Sequence, residues 1–230
     1  MNVLIACEES QTSCIEFRKL GHNAYSCDIQ ACSGGFPEWH IKGDCLSLID
    51  GFCSFFTSDG VNHYISSWDL IIAHPPCTYL SKAGSCRMFP HPHVLNLDRY
   101  EKAIAARDFF MRIYNACCEH ICIENPVPLK IVGLPCHSQV IQPFMFGDPY
   151  SKMTYLWTKG LPRLIPTDVL SNYVSYIAVC GSSQKVRSKS FPGISKAFAT
   201  QYSAAILSGV NYSLPYNYLC LIGVKYVHFN

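Results

Sequence analysis

The chain has 230 residues, of which 49% are hydrophobic and 15% are charged, and its formal net charge is +2. This composition is typical of a globular domain with its own core, and the near-neutral charge neither indicates nor excludes a nucleic-acid partner. Fourteen cysteines are many, but the apolar N-terminal run is too short for a signal peptide. We therefore expect reduced cysteines in the core of a cytoplasmic protein, without a disulfide framework.

The spacing of residues argues against two further classes of protein. Paired C-x-x-C knuckles are missing from the sequence, so we expect no metal site. No apolar run approaches the roughly eighteen residues of a membrane span, so we expect no contact with a membrane.

The N-terminal segment predicts a β-α-β unit. Residues 2–7 form an apolar run typical of a buried strand, and residues 14–20 carry apolar side chains at helical spacing before Gly21. Residues 22–29 then predict a second strand, which closes on Asp28.

Asp28 has a position that is typical of cofactor binding. An acidic residue at the end of the second strand commonly accepts hydrogen bonds from the ribose hydroxyls of a nucleoside-type cofactor. An exposed strand-end carboxylate without a ligand is an equally weighted alternative. The first turn lacks the G-x-G-x-x-G fingerprint that brings a pyrophosphate close to the backbone. A cofactor without phosphates needs no such glycines, and we therefore expect S-adenosylmethionine.

The rest of the chain alternates between apolar runs and helical patterns. Strands alternating with helices favour an α/β fold, in which an open and mostly parallel sheet has helices on both faces. No linker or internal repeat divides the sequence, so we expect one domain over residues 1–230. The sequence predicts strands over residues 69–73, 120–123, 140–146 and 153–157, helices over 97–118 and from Pro192 onward, turns over 32–43, a polar loop over 81–92 and an irregular polar segment over 163–190.

Polar side chains follow several of the predicted strands. In an open α/β sheet, ligands bind beyond the carboxyl ends of the strands. One of these side chains, Cys77, also follows two prolines, which restrict the backbone of its loop. We expect four such residues to share one site: Asp28, Asp44, Cys77 and Glu124.

Cys77 and Glu124 together suggest a specific reaction. Pyrimidine C5 is a poor nucleophile, but a thiolate that adds to C6 makes an enamine, which can attack a methyl donor from C5. A carboxyl group near N3 and the exocyclic amine holds the base and stabilises the developing charge. Each residue alone also has a structural explanation: Cys77 could be one more cysteine of the core, and Glu124 could be a carboxylate that caps a turn. The prediction therefore rests on the two residues together.

Several motifs of the chain resemble those of the cytosine-C5 DNA methyltransferases. Residues 73–77 (Ala-His-Pro-Pro-Cys) resemble the Pro-Cys nucleophile motif, and residues 123–126 (Ile-Glu-Asn-Pro) resemble the Glu-Asn-Val motif, in the right order. Residues 146–152 look like the segment Tyr/Phe-Gly-x-Pro-Gln-x-Arg, and residues 191–199 are similar to the closing helix motif that returns to the cofactor. As a whole, residues 1–206 look like the short cytosine-methyltransferase-like proteins carried by bacteriophages and prophages.

The resemblance implies a Rossmann-like, S-adenosylmethionine-dependent methyltransferase fold and a cytosine substrate in duplex or single-stranded DNA, in the cytoplasm of a bacterial host. The catalytic residues that it implies are Cys77, Glu124 and Lys152. The implied cofactor-binding residues are Ala6, Cys7, Glu8, Asp28, Ile29, Asp44, His74 and Pro75. The implied substrate-binding residues are Tyr79, Asn125, Pro126, Lys185 and Arg187.

The chain departs from this family at three places. Residues 6–10 read Ala-Cys-Glu-Glu-Ser instead of Phe-x-Gly-x-Gly. Lys152 replaces the first arginine of the Gln-x-Arg-x-Arg motif, which keeps the charge but loses the bidentate fork. Only residues 163–187 stand where typical members insert a large target-recognition domain. We therefore predict weak sequence specificity, a protein partner that supplies it, or a cytosine-containing substrate smaller than duplex DNA.

Two other functions stay open. The first alternative is a methyltransferase that acts on an exocyclic amine. Such enzymes use the motif Asp/Asn/Ser-Pro-Pro-Tyr/Phe, and His74 and Cys77 fit its first and last positions poorly. Tyr79, however, is placed to stack on a base. The second alternative is a catalytically silent protein of the same fold that binds a nucleotide or a partner. The altered cofactor loop and the missing recognition domain motivate it.

Overall fold

The computed structural model describes residues 1–180 and 189–210. Within these ranges a seven-stranded sheet forms the centre, and two two-stranded sheets accompany it. The strands are β1 (Asn2–Ala6), β2 (Asn23–Asp28), β3 (His40–Lys42), β4 (Cys53–Phe56), β5 (Asn62–Ile65), β6 (Leu70–Ala73), β7 (Ile121–Pro126), β8 (Gln139–Ile141), β9 (Tyr150–Ser151), β10 (Thr154–Lys159) and β11 (Val174–Ser175).

The central sheet has the strand order β3-β2-β1-β6-β7-β10-β8. Neighbouring strands are parallel except at β10, which runs antiparallel to both β7 and β8. The chain moves outward from β1 to β3 and then returns to the other side of β1 with β6. This reversal leaves a crevice at the carboxyl ends of β1 and β6, where open α/β sheets bind ligands. The strand order confirms the predicted α/β, Rossmann-like fold with an open and mostly parallel sheet.

Helices cover both faces of the central sheet. They are α1 (Thr12–Lys19), α2 (Ser85–Met88), α3 (Leu97–Tyr114), α4 (Tyr176–Cys180), α5 (Pro192–Ala197) and α6 (Ser203–Leu207), with a π-helical turn at Phe198–Tyr202 between the last two. Short 3-10 turns cover Pro37–Trp39, Cys45–Ser47, Lys82–Gly84, Lys130–Val132 and Pro143–Met145.

The apolar side chains of β1 alternate between two cores. Leu4 and Ala6 belong to the core under α3, which contains the buried ring of Phe110. Val3 and Ile5 belong to the opposite core, which contains residues of α1 and α5. Because both faces of a central strand are covered, such a strand reads as a continuous apolar run. This is why the sequence located β1 and β6 correctly.

Some local predictions were wrong for identifiable reasons. The strand predicted over 140–146 ends at Ile141, because Pro143 lacks the N–H group that would continue the ladder and opens a 3-10 turn instead. The polar loop predicted over 81–92 contains α2, which is held against the core by the buried side chain of Met88. The sequence also missed β3 and the hairpin of β4 and β5. β3 has only three residues, and β4 alternates between buried and exposed side chains.

The segment 163–190, predicted as an irregular insert in the position of a recognition domain, contains β11 and α4 in its described part. β11 pairs with β9. The division of the chain into one domain with a short insert stays a prediction. Among residues 1–180 and 189–210, no helix is long and apolar enough to cross a membrane, and no three His, Cys, Asp or Glu side chains are placed to hold a metal ion.

Candidate active site at the carboxyl edge of the sheet

Three neighbouring strands of the sheet end at the same level. Ala6 of β1 pairs with Ala73 of β6, and Ala73 pairs with Ile123 of β7. The N–H group of His74 then donates a hydrogen bond to the Ala6 carbonyl over 2.9 Å. The residues that follow these pairs, His74 and Glu124 among them, therefore emerge side by side at the crevice.

His74 and Glu124 form a close pair at this edge. His74 Nδ1 lies 3.1 Å from Glu124 Oε2, and the two side chains are only 9% and 18% exposed. Burial disfavours the charged form of each group, but the shared hydrogen bond and the opposite charges outweigh it. The pKa of His74 is therefore raised above its ordinary value and the pKa of Glu124 is lowered. This favours an imidazolium that faces a carboxylate.

Asn125 fixes the proline loop next to this pair. Its Nδ2 group donates to the carbonyl of Pro75 over 2.9 Å, and the side chain is 1% exposed. Strand β7 thus holds two consecutive residues of the loop, through Glu124 and through Asn125. The Oδ1 atom of Asn125 and the Nε2 atom of His74 are buried without a hydrogen-bond partner in the described structure.

The chain beyond Cys77 is joined to the chain beyond β7. The Cys77 carbonyl accepts hydrogen bonds from the N–H groups of Leu80 and Ser81, over 3.2 and 3.0 Å, so a tight turn follows the half-buried Cys77. The Lys82 N–H then donates to the Val127 carbonyl over 2.7 Å. Hydrogen bonds on both sides of Cys77 therefore hold its loop against the Glu-Asn-Pro strand.

Arg99 supports the same loop and was not predicted from the sequence. Its Nη2 group donates to the Thr78 carbonyl over 2.7 Å, and its guanidinium lies 5.0 Å from the centre of the Tyr79 ring. The side chain is nearly buried. An arginine one helical turn before Ala103 lies on the apolar face of α3, and this spacing was the signal that could have found it.

The loop after β1 has strained backbone at two residues that are not glycine. Cys7 and Gln11 have φ angles of 60° and 59°, in the left-handed region that non-glycine residues rarely adopt. The buried carboxylate of Glu8 accepts hydrogen bonds from the N–H groups of Ser13 and Cys14, over 2.7 and 3.1 Å, and so caps α1. Strain of this kind clusters at binding sites.

Acidic and apolar groups follow β2 and β3. Asp28 is the last residue of β2, and its Oδ1 atom accepts a hydrogen bond from the Gln30 N–H over 2.9 Å. The next residue, Ile29, is 74% exposed. Asp44 is exposed after β3 and caps a 3-10 turn. A carboxylate beside an exposed apolar side chain fits a nucleoside, whose ribose hydroxyls donate hydrogen bonds and whose base needs apolar cover.

Two distant motifs of the sequence, residues 146–152 and 191–199, contact each other. The Gly193 N–H donates to Asp148 Oδ2 over 2.9 Å, and a Cβ atom added at Gly193 would overlap the Phe146 carbonyl oxygen. The Lys152 ammonium lies 5.4 Å from the centre of the Phe191 ring, and its charge contributes to lowering the pKa of Glu124. The closing segment therefore returns to the site.

The structure brings together one part of the predicted set and leaves another part unplaced. Ala6, His74, Pro75, Glu124 and Asn125 are joined by direct hydrogen bonds, and Cys77 lies in the same loop. The roles assigned to individual residues stay predictions. Pro126 ends β7, the Tyr79 ring lies against Arg99, and Lys185 and Arg187 lie outside the described residues.

Comparisons with known proteins are sparse. No family model and no curated protein matches the chain. A solved structure of a prophage-encoded protein from E. coli, which carries the provisional name of a DNA modification methyltransferase, is similar with a TM-score of 0.41 and 12% identity. The match covers 79% of this chain and 54% of that one, so the chain spans about half the length of that protein. The fold assignment rests on the strand order and not on this comparison.

Proposed function

We propose that the chain is an S-adenosylmethionine-dependent methyltransferase that methylates C5 of cytosine in DNA through a covalent adduct of Cys77 with C6. One observation carries the proposal: the Pro-Pro-Cys loop is joined directly to the Glu-Asn-Pro strand by the contacts His74–Glu124 and Asn125–Pro75. Both motifs therefore lie at the crevice of a fold that binds ligands there.

The chemistry assigns a different task to each side chain. The Cys77 thiolate attacks C6, and the C5=C6 electron pair forms a C4=C5 bond. The resulting enamine is nucleophilic at C5. Glu124 holds N3 and the exocyclic amine and so fixes the base for attack. Once C5 carries the methyl group, water takes the C5 proton, the C5=C6 bond forms again, and the C6–S bond breaks to release the thiolate.

S-adenosylmethionine, when bound, supplies an electrophilic methyl group. Asp28 is suited to accept hydrogen bonds from its ribose hydroxyls, and Ile29 is suited to cover its base. Ala6, Cys7, Glu8, Asp44, His74 and Pro75 complete the proposed cofactor side of the crevice.

A basic cleft beside the site supports a polynucleotide substrate. A cavity of about 530 Å³ lies between the segment after Cys77 and the segment after β7. Lys82 and Lys130 line it from opposite sides together with the exposed ring of Phe89. Neither lysine forms an ion pair with a described carboxylate. Lysines bind phosphates and an aromatic ring stacks on bases, so this cleft suits a nucleotide that flanks the target.

The distance from Cys77 to this cleft is short. Lys82 follows Cys77 by five residues, so the cleft begins within about 17 Å of the thiol. We propose that a strand which presents a cytosine to Cys77 places a flanking nucleotide in this cleft. Target selection falls to residues 163–190, which include Lys185 and Arg187, or to a protein partner.

A mechanism-based adduct tests the proposed reaction. The protein is mixed with S-adenosylmethionine and an oligonucleotide that contains 5-fluorocytosine, whose fluorine cannot be eliminated as a proton. We expect an intact-mass increase equal to the oligonucleotide plus one methyl group in the wild type, and none in Cys77→Ser. Undiminished methyl transfer to ordinary cytosine by Cys77→Ala would contradict the proposal.

A second candidate is a catalytically silent nucleotide-binding protein of the same fold. The strained, glycine-free loop at Cys7 and the use of Glu8 to cap α1 favour it. Calorimetry separates the two functions: measurable binding of S-adenosylmethionine supports the enzyme, and binding of a nucleotide without any S-adenosylmethionine affinity supports the silent protein.

A further inference from the structure

The histidine before the Pro-Pro-Cys turn contacts the carboxylate proposed to hold the base. We infer that His74 is a positioning residue that stores the proton which Glu124 passes to N3 of cytosine. The inference rests on the proposed function, because it concerns the same site. It assigns His74 to the base side of the crevice, in addition to its predicted place near the cofactor.

The geometry sets the direction of the hydrogen bond. An ionised carboxylate only accepts, so His74 Nδ1 donates its proton to Glu124 Oε2 over 3.1 Å. Strand pairing fixes both backbones, since Ala73 and Ile123, the residues just before them, face each other in the ladder. The second carboxylate oxygen, Oε1, accepts no hydrogen bond from a described residue, which leaves it for the edge of the base.

Charges from three other segments act on this proton. Glu124 on β7 and, at longer range, Glu8 after β1 favour a protonated His74. Lys152, before β10, opposes that charge on His74 and favours an ionised Glu124. These charges place the proton on the imidazole and leave the carboxylate ionised, while the carboxylate stays in contact with the proton.

The step conserves its protons and electrons. As the Cys77 sulfur bonds to C6, the C5=C6 pair forms a C4=C5 bond and the C4=N3 pair moves onto N3. N3 takes a proton through Glu124, which takes the Nδ1 proton of His74 in return, so the imidazole becomes neutral. When the thiolate leaves after methylation, N3 gives the proton back along the same path. An imidazole suits this task because its ordinary pKa lies close to neutral pH.

The first test does not depend on catalysis. The imidazole of His74 is titrated by NMR in the wild type and in Glu124→Gln. We expect the pKa of His74 above 6.5 in the wild type and below 6.5 in the variant, where burial acts without the carboxylate. His22 is the internal control: burial lowers its pKa, and it should titrate identically in both proteins. A wild-type His74 that titrates at or below 6.5 overturns the inference.

The second test separates proton storage from simple support. His74→Asn keeps a short side chain with an N–H donor but stores no proton. In the wild type the rate of adduct formation should fall as the pH rises through the pKa of His74. In His74→Asn that limb should vanish, and the rate at neutral pH should drop about 100-fold. A variant with the wild-type rate and the wild-type limb overturns the inference. If the wild type forms no adduct, the proposed function fails, and the titration still tests the pair.

Discussion

His74 and Glu124 couple the stability of the sheet edge to pH at the scale of single residues. The raised pKa of His74 contributes stability that is complete below pH 6.5 and is lost as the pH rises through the folded-state value. The lowered pKa of Glu124 contributes stability that is complete above pH 4.5 and is lost as the pH falls through its folded-state value. Both contributions are present together between these two limits.

Glu124→Gln should therefore destabilise the protein most in that window. We expect the free energy of unfolding to fall by about 2 kcal/mol there, because a buried hydrogen bond between two charges is lost. Urea denaturation of both proteins at about pH 5.5, inside the window, and at about pH 8.5, above it, measures the two differences. A larger difference at the higher pH would contradict the assigned ion pair.

Arg99 is the second residue whose contribution can be isolated. Arg99→Met keeps the apolar contact but removes the hydrogen bond to the Thr78 carbonyl and the cation over the Tyr79 ring. We expect a loss of about 1–3 kcal/mol in unfolding free energy. Arg107→Met is the matched control on the same helix, because Arg107 pairs with no described residue other than its neighbour Asp108. An equal loss of unfolding free energy in the two variants would contradict the supporting role of Arg99.

At the scale of elements, the segment between β8 and β9 and the opening of α5 form one packed unit. Gly193→Ala should disrupt it, because the added methyl group would overlap the Phe146 carbonyl oxygen. We expect at least about 2 kcal/mol of destabilisation, as for other overpacked sites. The control is Gly43→Ala, where an added Cβ meets nothing within 4 Å. Thermal unfolding of the two variants distinguishes them, and an unperturbed Gly193→Ala would refute the close approach.

The cleft beside the site yields a prediction for binding. Lys82→Ala combined with Lys130→Ala should weaken binding of a fluorescent single-stranded oligonucleotide. The dependence of log affinity on log salt should also become shallower, by about 0.7 for each lost phosphate contact. Lys42→Ala, at the far edge of the sheet, serves as the control and should change neither quantity. Fluorescence anisotropy across a salt series measures both, and an unchanged salt slope in the double variant would argue against the cleft.

The elements also show what sequence reasoning can reach. β1 and β6 were predictable because full burial makes each an uninterrupted apolar run, and Cys77 and Glu124 were predictable because they follow such runs. The hydrogen bonds between His74 and Glu124 and between Asn125 and Pro75 were not, since they depend on the register between β6 and β7. The spacing of Arg99 places it on the apolar face of α3, but its partner is a backbone carbonyl, which cannot be identified from the sequence.

At the scale of the whole molecule, the strand order places the proposed cofactor residues and the proposed substrate residues next to each other at one edge of the sheet. The ends of β1 and β2 carry the proposed cofactor residues, and the ends of β6 and β7 carry the proposed nucleophile and the base-holding carboxylate. One antiparallel strand, β10, follows Lys152 and pairs with β7, so it ties that charge to the site. The proposed reaction centre therefore lies within the described residues, while we propose that target selection falls to the segment 163–190 or to a partner.

We propose that the chain methylates cytosine at C5 with Cys77 as the nucleophile, and nucleoside analysis of cellular DNA tests this claim most directly. DNA is purified from bacteria that lack other cytosine methyltransferases and that express either the wild type or Cys77→Ser, and its nucleosides are quantified by mass spectrometry. We predict 5-methyldeoxycytidine in the wild-type sample and none in the variant sample. Its absence with the wild type, its persistence with Cys77→Ser, or methylation on an exocyclic amine instead would contradict the claim.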